Sequence, residues 1–202
     1  MTILPLLFGL AAIQRQIPET MPVPWTEPGR GRFYWLMSPN FNDRPKDAVI
    51  DTVVVHATVV PTLEKTAEVF LRTASQVSAH YTVGRDGSYV MQVRTQDRAW
   101  HAGAGFGPHG KPNPNHYSIG IEMVNLNDGK DPWPDEQIET LKWIIAGLKR
   151  RYPTIQQIMS HEYLARPAGR KSDPVAFPWE KLADLGLPMY FGQAEGPDTP
   201  KS

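Results

Sequence analysis

The side chains of this chain best suited to bind a metal or transfer a proton are its six histidines: His56, His80, His101, His109, His116 and His161. Cysteine is absent from all 202 residues, which excludes disulfides, thiol nucleophiles, iron–sulfur clusters and thiolate zinc sites. A metal must therefore be held by His, Asp or Glu. A single histidine is more often a surface or hydrogen-bonded residue than a metal ligand. The candidate ligands among the six are therefore identified by where each lies in the predicted strands and loops.

Two histidines and one aspartate occupy positions that suit metal ligands. His56 ends the β-branched run DTVVVH at 51–56, and the end of a buried strand faces the crevice where ligands bind in α/β folds. His161 begins an irregular stretch, and Asp173 follows it in the same stretch. Two imidazoles and a carboxylate, with a fourth position left to water, form the ligand set of a hydrolytic zinc site. Spacing alone leaves other combinations open.

Strand alternation distinguishes three further residues. Glu122 lies inside the otherwise apolar run YSIGIEMV at 117–124, so its carboxylate must face solvent, a cleft or a partner. His80 and Tyr81 are consecutive in a predicted strand and should point to opposite faces of the sheet. For His80 we expect core packing.

The elements that position these residues follow from periodicity. Continuous β-branched or apolar runs predict strands at 51–56, 79–83, 89–93, 117–124 and 157–160. Apolar residues at helical spacing predict helices at 62–73 and 134–152, and Asp86-Gly87 predicts a hairpin between the second and third strands. A loop from 100 to 115 is long enough to be functional. This order predicts an α/β fold with a central mixed β-sheet flanked by helices.

The chain divides into three predicted parts. Residues 1–46 hold an apolar segment and an extended arm, 47–187 form a single folded domain, and 188–202 form a flexible tail. The apolar stretch 2–13 is shorter than the roughly 20 residues of a membrane-spanning helix, so we predict no transmembrane span. Its length suits a secretory signal, which favours a secreted or cell-envelope protein. The alternatives are a segment packed on the domain and a cytoplasmic enzyme.

Composition excludes several functional classes. Hydrophobic residues make up 41% and charged residues 21%, which disfavours disorder, coiled coils and multi-pass membrane proteins. The 21 basic residues balance 21 acidic ones, so nothing in the net charge favours a nucleic-acid partner.

Six motifs occur in the order in which one enzyme family carries them. They are Val54-Val55-His56, Ser78-Ala79-His80-Tyr81, Arg85-Asp86-Gly87, Arg98-Ala99-Trp100-His101-Ala102-Gly103, Ser118-Ile119-Gly120-Ile121-Glu122, and His161 with Gly169-Arg170-Lys171-Ser172-Asp173-Pro174. Through them the domain resembles the zinc-dependent N-acetylmuramoyl-L-alanine amidases of the type 2 amidase family, relatives of T7-type lysozyme amidases and peptidoglycan recognition proteins. The resemblance implies the fold of that group.

The resemblance also implies a reaction and its metal. One Zn²⁺ ion would be held by His56, His161 and Asp173. The enzyme would cleave the amide between N-acetylmuramic acid and L-alanine, in intact peptidoglycan or in soluble muropeptides, as a monomer. Some relatives use a cysteine as the third ligand, a place that only a carboxylate can fill here.

Roles for the surrounding residues come from the same resemblance. Lys171 would stabilise the oxyanion and Glu122 would act as general base, or alternatively would orient a zinc-bound histidine. Tyr81 would donate its phenol to the carbonyl, the alternative being a buried core tyrosine. Three residues would contact substrate: Trp100, His101 and Ala57, the last where some relatives carry a polar residue.

A second hypothesis has the same fold and no catalysis. Some relatives bind peptidoglycan without cleaving it, and in these the metal set is typically incomplete. Because all three implied ligands are present here, the enzyme is favoured over a non-catalytic recognition module.

Overall fold

The structure, a computed structural model, describes residues 32–193, and its centre is a mixed β-sheet. The seven strands lie in the order β1-β5-β4-β7-β3-β8-β9, and two further strands, β2 and β6, pair separately. Neighbours in the large sheet are parallel except for the hairpin β4–β5. The strands are β1 (Phe33–Trp35), β2 (Phe41–Asn42), β3 (Thr52–Ala57), β4 (Tyr81–Val83), β5 (Tyr89–Met91), β6 (Arg98–Ala99), β7 (Ser118–Met123), β8 (Gln157–Ser160) and β9 (Met189–Tyr190).

Local sequence favours the two longer helices in different ways. Thr62 accepts a hydrogen bond from the Lys65 backbone N–H at the start of the first helix. The second helix has two acidic residues in its first turn and three basic residues in its last, which complements the helix dipole. The α-helices are α1 (Leu63–Leu71), α2 (Asp135–Arg151) and α3 (His161–Leu164), and 3₁₀ turns cover Thr73–Ser75, Pro108–Gly110, Pro114–His116 and Trp179–Leu185.

The two faces of the sheet carry different residues. One face packs against α2 and forms the main core, to which β3 contributes Val53 and Val55 and β7 contributes Ile119 and Ile121. The opposite face is covered by α3 and the loop from 100 to 117, through a smaller apolar cluster that includes Val54. Because side chains alternate along a strand, the polar residues of β3 and β7 fall on this second face. The predicted mixed sheet flanked by helices is confirmed.

Three parts of the chain differ from the sequence prediction. The folded domain was expected to start near residue 47, whereas Phe33–Trp35 pairs with β5 at the sheet edge. Met189–Tyr190, expected in a flexible tail, pairs with β8. Residues 161–164, expected to be irregular, form α3. Segments of two to four residues are too short to show periodicity, so their pairing partners decide their conformation.

None of the helices within residues 32–193 is long and apolar enough to cross a bilayer. The apolar stretch 2–13 and the end of the predicted tail lie outside the described residues.

Candidate metal centre and active site

The three implied ligands come from the carboxyl ends of two adjacent parallel strands and from the loop behind them. His56 is the fifth residue of β3, and β8 pairs with that strand and leads directly into His161. Ser160 caps this turn by accepting the Tyr163 backbone N–H at 3.0 Å. Asp173 is held beside both histidines because its backbone carbonyl accepts the Glu162 N–H at 2.9 Å.

The ligand atoms converge at distances that suit one ion. One ligand atom from each of His56, His161 and Asp173 lies within 4.8 Å of the other two, and all three residues are buried. Asp173 Oδ2 is 3.1 Å from His161 Nδ1 and 3.7 Å from His56 Nδ1. Tetrahedral zinc, bound roughly 2.0–2.1 Å from each ligand, requires ligand atoms roughly 3.3 Å apart. The three side chains therefore fit a zinc ion.

Hydrogen bonding gives a second test of this fit. His161 Nε2 lies 3.2 Å from the Ala102 carbonyl, which can only accept, so Nε2 carries a proton, and in the neutral, metal-binding form of the ring Nδ1 presents a lone pair to Asp173. His56 Nδ1 is buried without a hydrogen-bond partner. Lone pairs directed at one another in a buried site are unfavourable unless a cation lies among them. The arrangement therefore suits a bound metal.

The electrostatics keep two of the candidate ligands, His56 and Asp173, in the protonation states that suit metal binding. Burial, together with the neighbouring His161 ring, lowers the pKa of His56 to about 4, although Asp173 opposes the shift. Burial by itself would raise the pKa of Asp173, but its interactions with His161 and His56 outweigh this and hold that pKa well below the usual range. Near neutral pH His56 is thus neutral and Asp173 is ionised.

Glu122 stands next to His56. The two residues are partners in the parallel register of β3 and β7, so their side chains leave the same face of the sheet. Glu122 Oε2 is buried without a hydrogen-bond partner. Burial and the negative charge of Asp173 raise the pKa of Glu122 to about 8, while Lys171 opposes the shift. A carboxyl group with this pKa can accept or release a proton near neutral pH.

The cations of the loop 169–173 have different surroundings. Lys171 is exposed and lies close enough to Glu122 for its charge to act on that carboxyl group. The Arg170 guanidinium donates hydrogen bonds to the carbonyls of Ala102 and Ala104 at 3.1 and 2.7 Å. Lys171 is therefore available to a ligand, whereas Arg170 ties two loops together.

His101, predicted to contact substrate, lies behind His56 instead. Its Nδ1 is 3.0 Å from His56 Nε2, and its Nε2 is 3.2 Å from Ser118 Oγ. Burial and the adjacent His56 and His80 rings lower the pKa of His101 well below its usual range. The structure therefore corrects the expected location: the His101 ring contacts a candidate ligand from its outer side.

Tyr81 also differs from its predicted place. It pairs with Ile121 in the β4–β7 register and belongs to the core on the α2 face, opposite the face of His56 and Glu122. The catalytic role expected for Tyr81 is not supported, because the sheet separates its phenol from the candidate ligands. His80, one residue earlier, lies on the site face, fully buried, with its ring centroid 5.7 Å from that of His101.

Ala57 and Trp100 are the remaining predicted substrate contacts. The Ala57 side chain is buried, and its backbone N–H donates to Asp173 Oδ2 at 3.3 Å, so this residue holds a candidate ligand. Trp100 is half-buried and its indole N–H donates to Asn42 Oδ1 at 2.7 Å. Both contacts are made within the protein, and substrate contact by either residue stays a prediction.

Ser118 and Gly120 also belong to the candidate site, although the sequence predictions assign no role to either residue. They alternate with the core residues of β7, so they share the face of Glu122. A Cβ atom at position 120 would lie 2.4 Å from His101 Cγ, which shows that glycine is what allows the imidazole to pack on the strand. Strand alternation was the signal that could have identified both residues.

Comparisons with known proteins agree with this site. The sequence profile of a family described as N-acetylmuramoyl-L-alanine amidase matches residues 45–176. The 1,6-anhydro-N-acetylmuramyl-L-alanine amidase AmpD of Citrobacter freundii is 31% identical over 171 residues, covering 75% of this chain and 88% of the relative.

Solved structures share the fold. A crystal structure of an AmpD derivative aligns with a TM-score of 0.62 at 28% identity, covering 75% of this chain and 93% of that one. AmiD from E. coli was solved in complex with the substrate anhydro-N-acetylmuramic acid-L-Ala-D-γ-Glu-L-Lys. It aligns with a TM-score of 0.61 at 26% identity, covering 74% of this chain and 66% of that one. With its sequence, fold and cluster of two histidines and one aspartate in agreement, this chain belongs to the type 2 family of N-acetylmuramoyl-L-alanine amidases.

Proposed function

We propose that this amidase uses one zinc ion, held by His56, His161 and Asp173, to hydrolyse the amide bond between N-acetylmuramic acid and L-alanine. The observation that carries the proposal is the convergence of the two Nδ1 atoms on Asp173 Oδ2, with His56 Nδ1 buried and unpartnered. Zinc bound there would supply a Lewis acid that polarises the scissile carbonyl and lowers the pKa of water.

In this proposal, Glu122 receives the proton of the attacking water. Its side chain leaves the sheet beside His56, its Oε2 has no partner, and its raised pKa suits a group that takes up a proton and returns it to the leaving amine. The alternative role, orienting a zinc-bound histidine, is disfavoured because the outer nitrogens of His56 and His161 already have partners in His101 and Ala102.

Lys171 is the group we assign to the oxyanion. Attack on the amide carbonyl leaves a negative charge on oxygen, which a nearby cation stabilises. Lys171 is exposed, two residues from Asp173, and its charge reaches Glu122. Arg170 does not compete for this role because its guanidinium is engaged by backbone carbonyls.

The substrate class follows the relatives. AmpD carries 1,6-anhydro-N-acetylmuramyl-L-alanine in its name, and AmiD is solved with an anhydromuramyl tripeptide. We propose that this chain accepts the same anhydro-muropeptide class. Intact peptidoglycan is the competing substrate, and product analysis on both materials separates them.

The experiment is peptide release from a defined muropeptide by purified protein, with zinc content measured in parallel. The proposal expects about one zinc per chain, loss of turnover on chelation, and recovery when zinc is restored. It also expects His161→Ala to lose both zinc and activity. Turnover that survives metal removal and the His161→Ala change would refute the metal mechanism. Zinc binding without any peptide release would instead support the non-catalytic recognition module.

Location and assembly are further proposals. The apolar stretch 2–13 supports export to the cell envelope, and an intact Met1 on the protein from its native host would count against it. We propose a monomer, which light scattering of the purified chain tests.

A further inference from the structure

A chain of hydrogen bonds runs outward from the candidate ligand His56 into the fold. His56 Nε2 lies 3.0 Å from His101 Nδ1, His101 Nε2 lies 3.2 Å from Ser118 Oγ, and Ser118 Oγ lies 2.6 Å from the Pro114 carbonyl oxygen. His56, His101 and Ser118 are all buried. Each of these groups therefore has a partner within the protein.

The last acceptor determines the direction of every bond in the chain. The Pro114 carbonyl can only accept, so Ser118 donates its hydroxyl proton to it. Ser118 Oγ then accepts from His101 Nε2–H, which leaves His101 Nδ1 as an acceptor. His56 must donate through Nε2–H, and its Nδ1 retains the lone pair.

We propose that His101 and Ser118 are positioning residues that fix the tautomer and ring orientation of His56, so that its Nδ1 is presented to the metal. The alternative tautomer of His56 would place a proton on Nδ1, between the ring and the ion. It would also leave two lone pairs facing each other at the His56–His101 contact, which is unfavourable in a buried site.

The neighbouring residue performs the same task for the other histidine ligand. The Ala102 carbonyl accepts from His161 Nε2–H at 3.2 Å and also from Arg170 at 3.1 Å. Two consecutive residues, 101 and 102, thus orient both histidine ligands from the outer side. His101 orients His56 through its side chain, whereas Ala102 orients His161 through its backbone carbonyl. Only the contact made by His101 can therefore be removed by substitution.

The packing around His101 leaves its ring little freedom. The ring lies over Gly120, where even a methyl group would approach to 2.4 Å. It also meets the rings of His56 and His80 at centroid distances of 5.1 and 5.7 Å. The position of His101 Nδ1 is therefore set by the core and not by a bound ligand.

This inference rests on the proposed zinc site, and its test measures metal affinity as well as turnover. His101→Asn keeps an acceptor oxygen near the place of Nδ1, whereas His101→Leu removes the acceptor and keeps the bulk. Ser118→Ala removes the group that orients His101. The exposed loop residue His109 provides the matched control His109→Leu. Zinc dissociation constants come from chelator competition, and Co²⁺ spectra report ligand geometry.

We expect His101→Leu to weaken zinc binding about 10- to 100-fold and to change the Co²⁺ spectrum, as loss of an outer hydrogen-bond partner does in other zinc sites. His101→Asn should recover most of the affinity, and Ser118→Ala should fall between the two. His109→Leu should match the parent protein.

Equal zinc affinity and an unchanged Co²⁺ spectrum in folded His101→Leu would overturn the proposal, as would equal losses in the Leu and Asn variants. If His101→Leu does not fold, Ser118→Ala decides: an unchanged zinc affinity and spectrum there overturn it. A parent protein without zinc affinity is a different result, because it refutes the proposed function itself.

Discussion

His56 and Glu122 occupy paired positions on the adjacent parallel strands β3 and β7, with both side chains on the face opposite the main core. The position of the proposed metal ligand and that of the proposed proton acceptor are thus set by strand register. A one-residue slip of β7 would turn Glu122 into the core and bring an apolar side chain to the site. The proposed catalytic site therefore depends on the register between β3 and β7.

Replacing Glu122 with glutamine removes the proposed proton acceptor while keeping the shape of the side chain. We expect kcat to fall about 10²- to 10⁴-fold, the usual contribution of a general base, with zinc content unchanged. The measurement is muropeptide turnover together with bound zinc. Glu64→Gln, an exposed carboxylate of α1, is the control and should leave both unchanged. Full turnover in Glu122→Gln would refute the assignment.

The raised pKa of Glu122 also predicts how the stability of the metal-free protein depends on pH. Its pKa is about 8 in the fold against an ordinary value of 4.5, so between these values the unfolded chain releases a proton that the folded chain keeps. The free energy of unfolding therefore falls as pH rises from about 4.5 to about 8.

The Glu122→Gln variant has no ionisable group at this position, so its free energy of unfolding does not fall with pH for this reason. In chelator, the difference in unfolding free energy between the variant and the parent should shift in favour of the variant by about 5 kcal/mol across that pH window, since each pKa unit is worth about 1.4 kcal/mol. Urea unfolding at a series of pH values measures it. A difference between the two proteins that does not vary with pH would contradict the prediction.

Substitutions at Tyr81 test whether this side chain, on the core face of the sheet, is separate from the candidate active site on the other face. Because its ring packs in the α2-side core, Tyr81→Phe should keep kcat within about a factor of two. Tyr81→Ala should lower the free energy of unfolding by about 3–5 kcal/mol through the cavity it leaves. Muropeptide turnover and urea unfolding give the two numbers. A large loss of turnover in folded, zinc-loaded Tyr81→Phe would restore a catalytic role.

Substitutions at Gly120 test how the His101 ring packs against strand β7. A methyl group at this position would overlap His101, so Gly120→Ala should destabilise the protein by about 1–3 kcal/mol and weaken zinc binding. Gly147, in the middle of α2, has room for a methyl group, and Gly147→Ala should stabilise by about 0.5–1 kcal/mol. Thermal unfolding and chelator competition compare the pair. Destabilisation by both variants would indicate a general sensitivity of the fold to alanine.

Local sequence determined the elements that carry the site. The run DTVVVH is β-branched and ends on His56, which predicts both a buried strand and a side chain at its open end, and the structure has both. The hairpin at Asp86-Gly87 follows equally from local chemistry, since Gly87 adopts a positive φ of 77°. The predicted ligand set is what the family resemblance implies, and the six motifs that carry the resemblance are each short and local.

Tertiary structure decided what joins distant segments. Strand alternation predicts that the His80 and Tyr81 side chains point to opposite faces of the sheet. Only the packing of α2 determines that Tyr81 lies on the core face and His80 on the face of the candidate site. His101 contacts His56 across 45 positions of sequence, through a loop whose path no periodicity describes. Local patterns specify backbone conformation and relative side-chain direction, whereas the strand order β7-β3-β8 and the covering of each face bring ligands and their partners together.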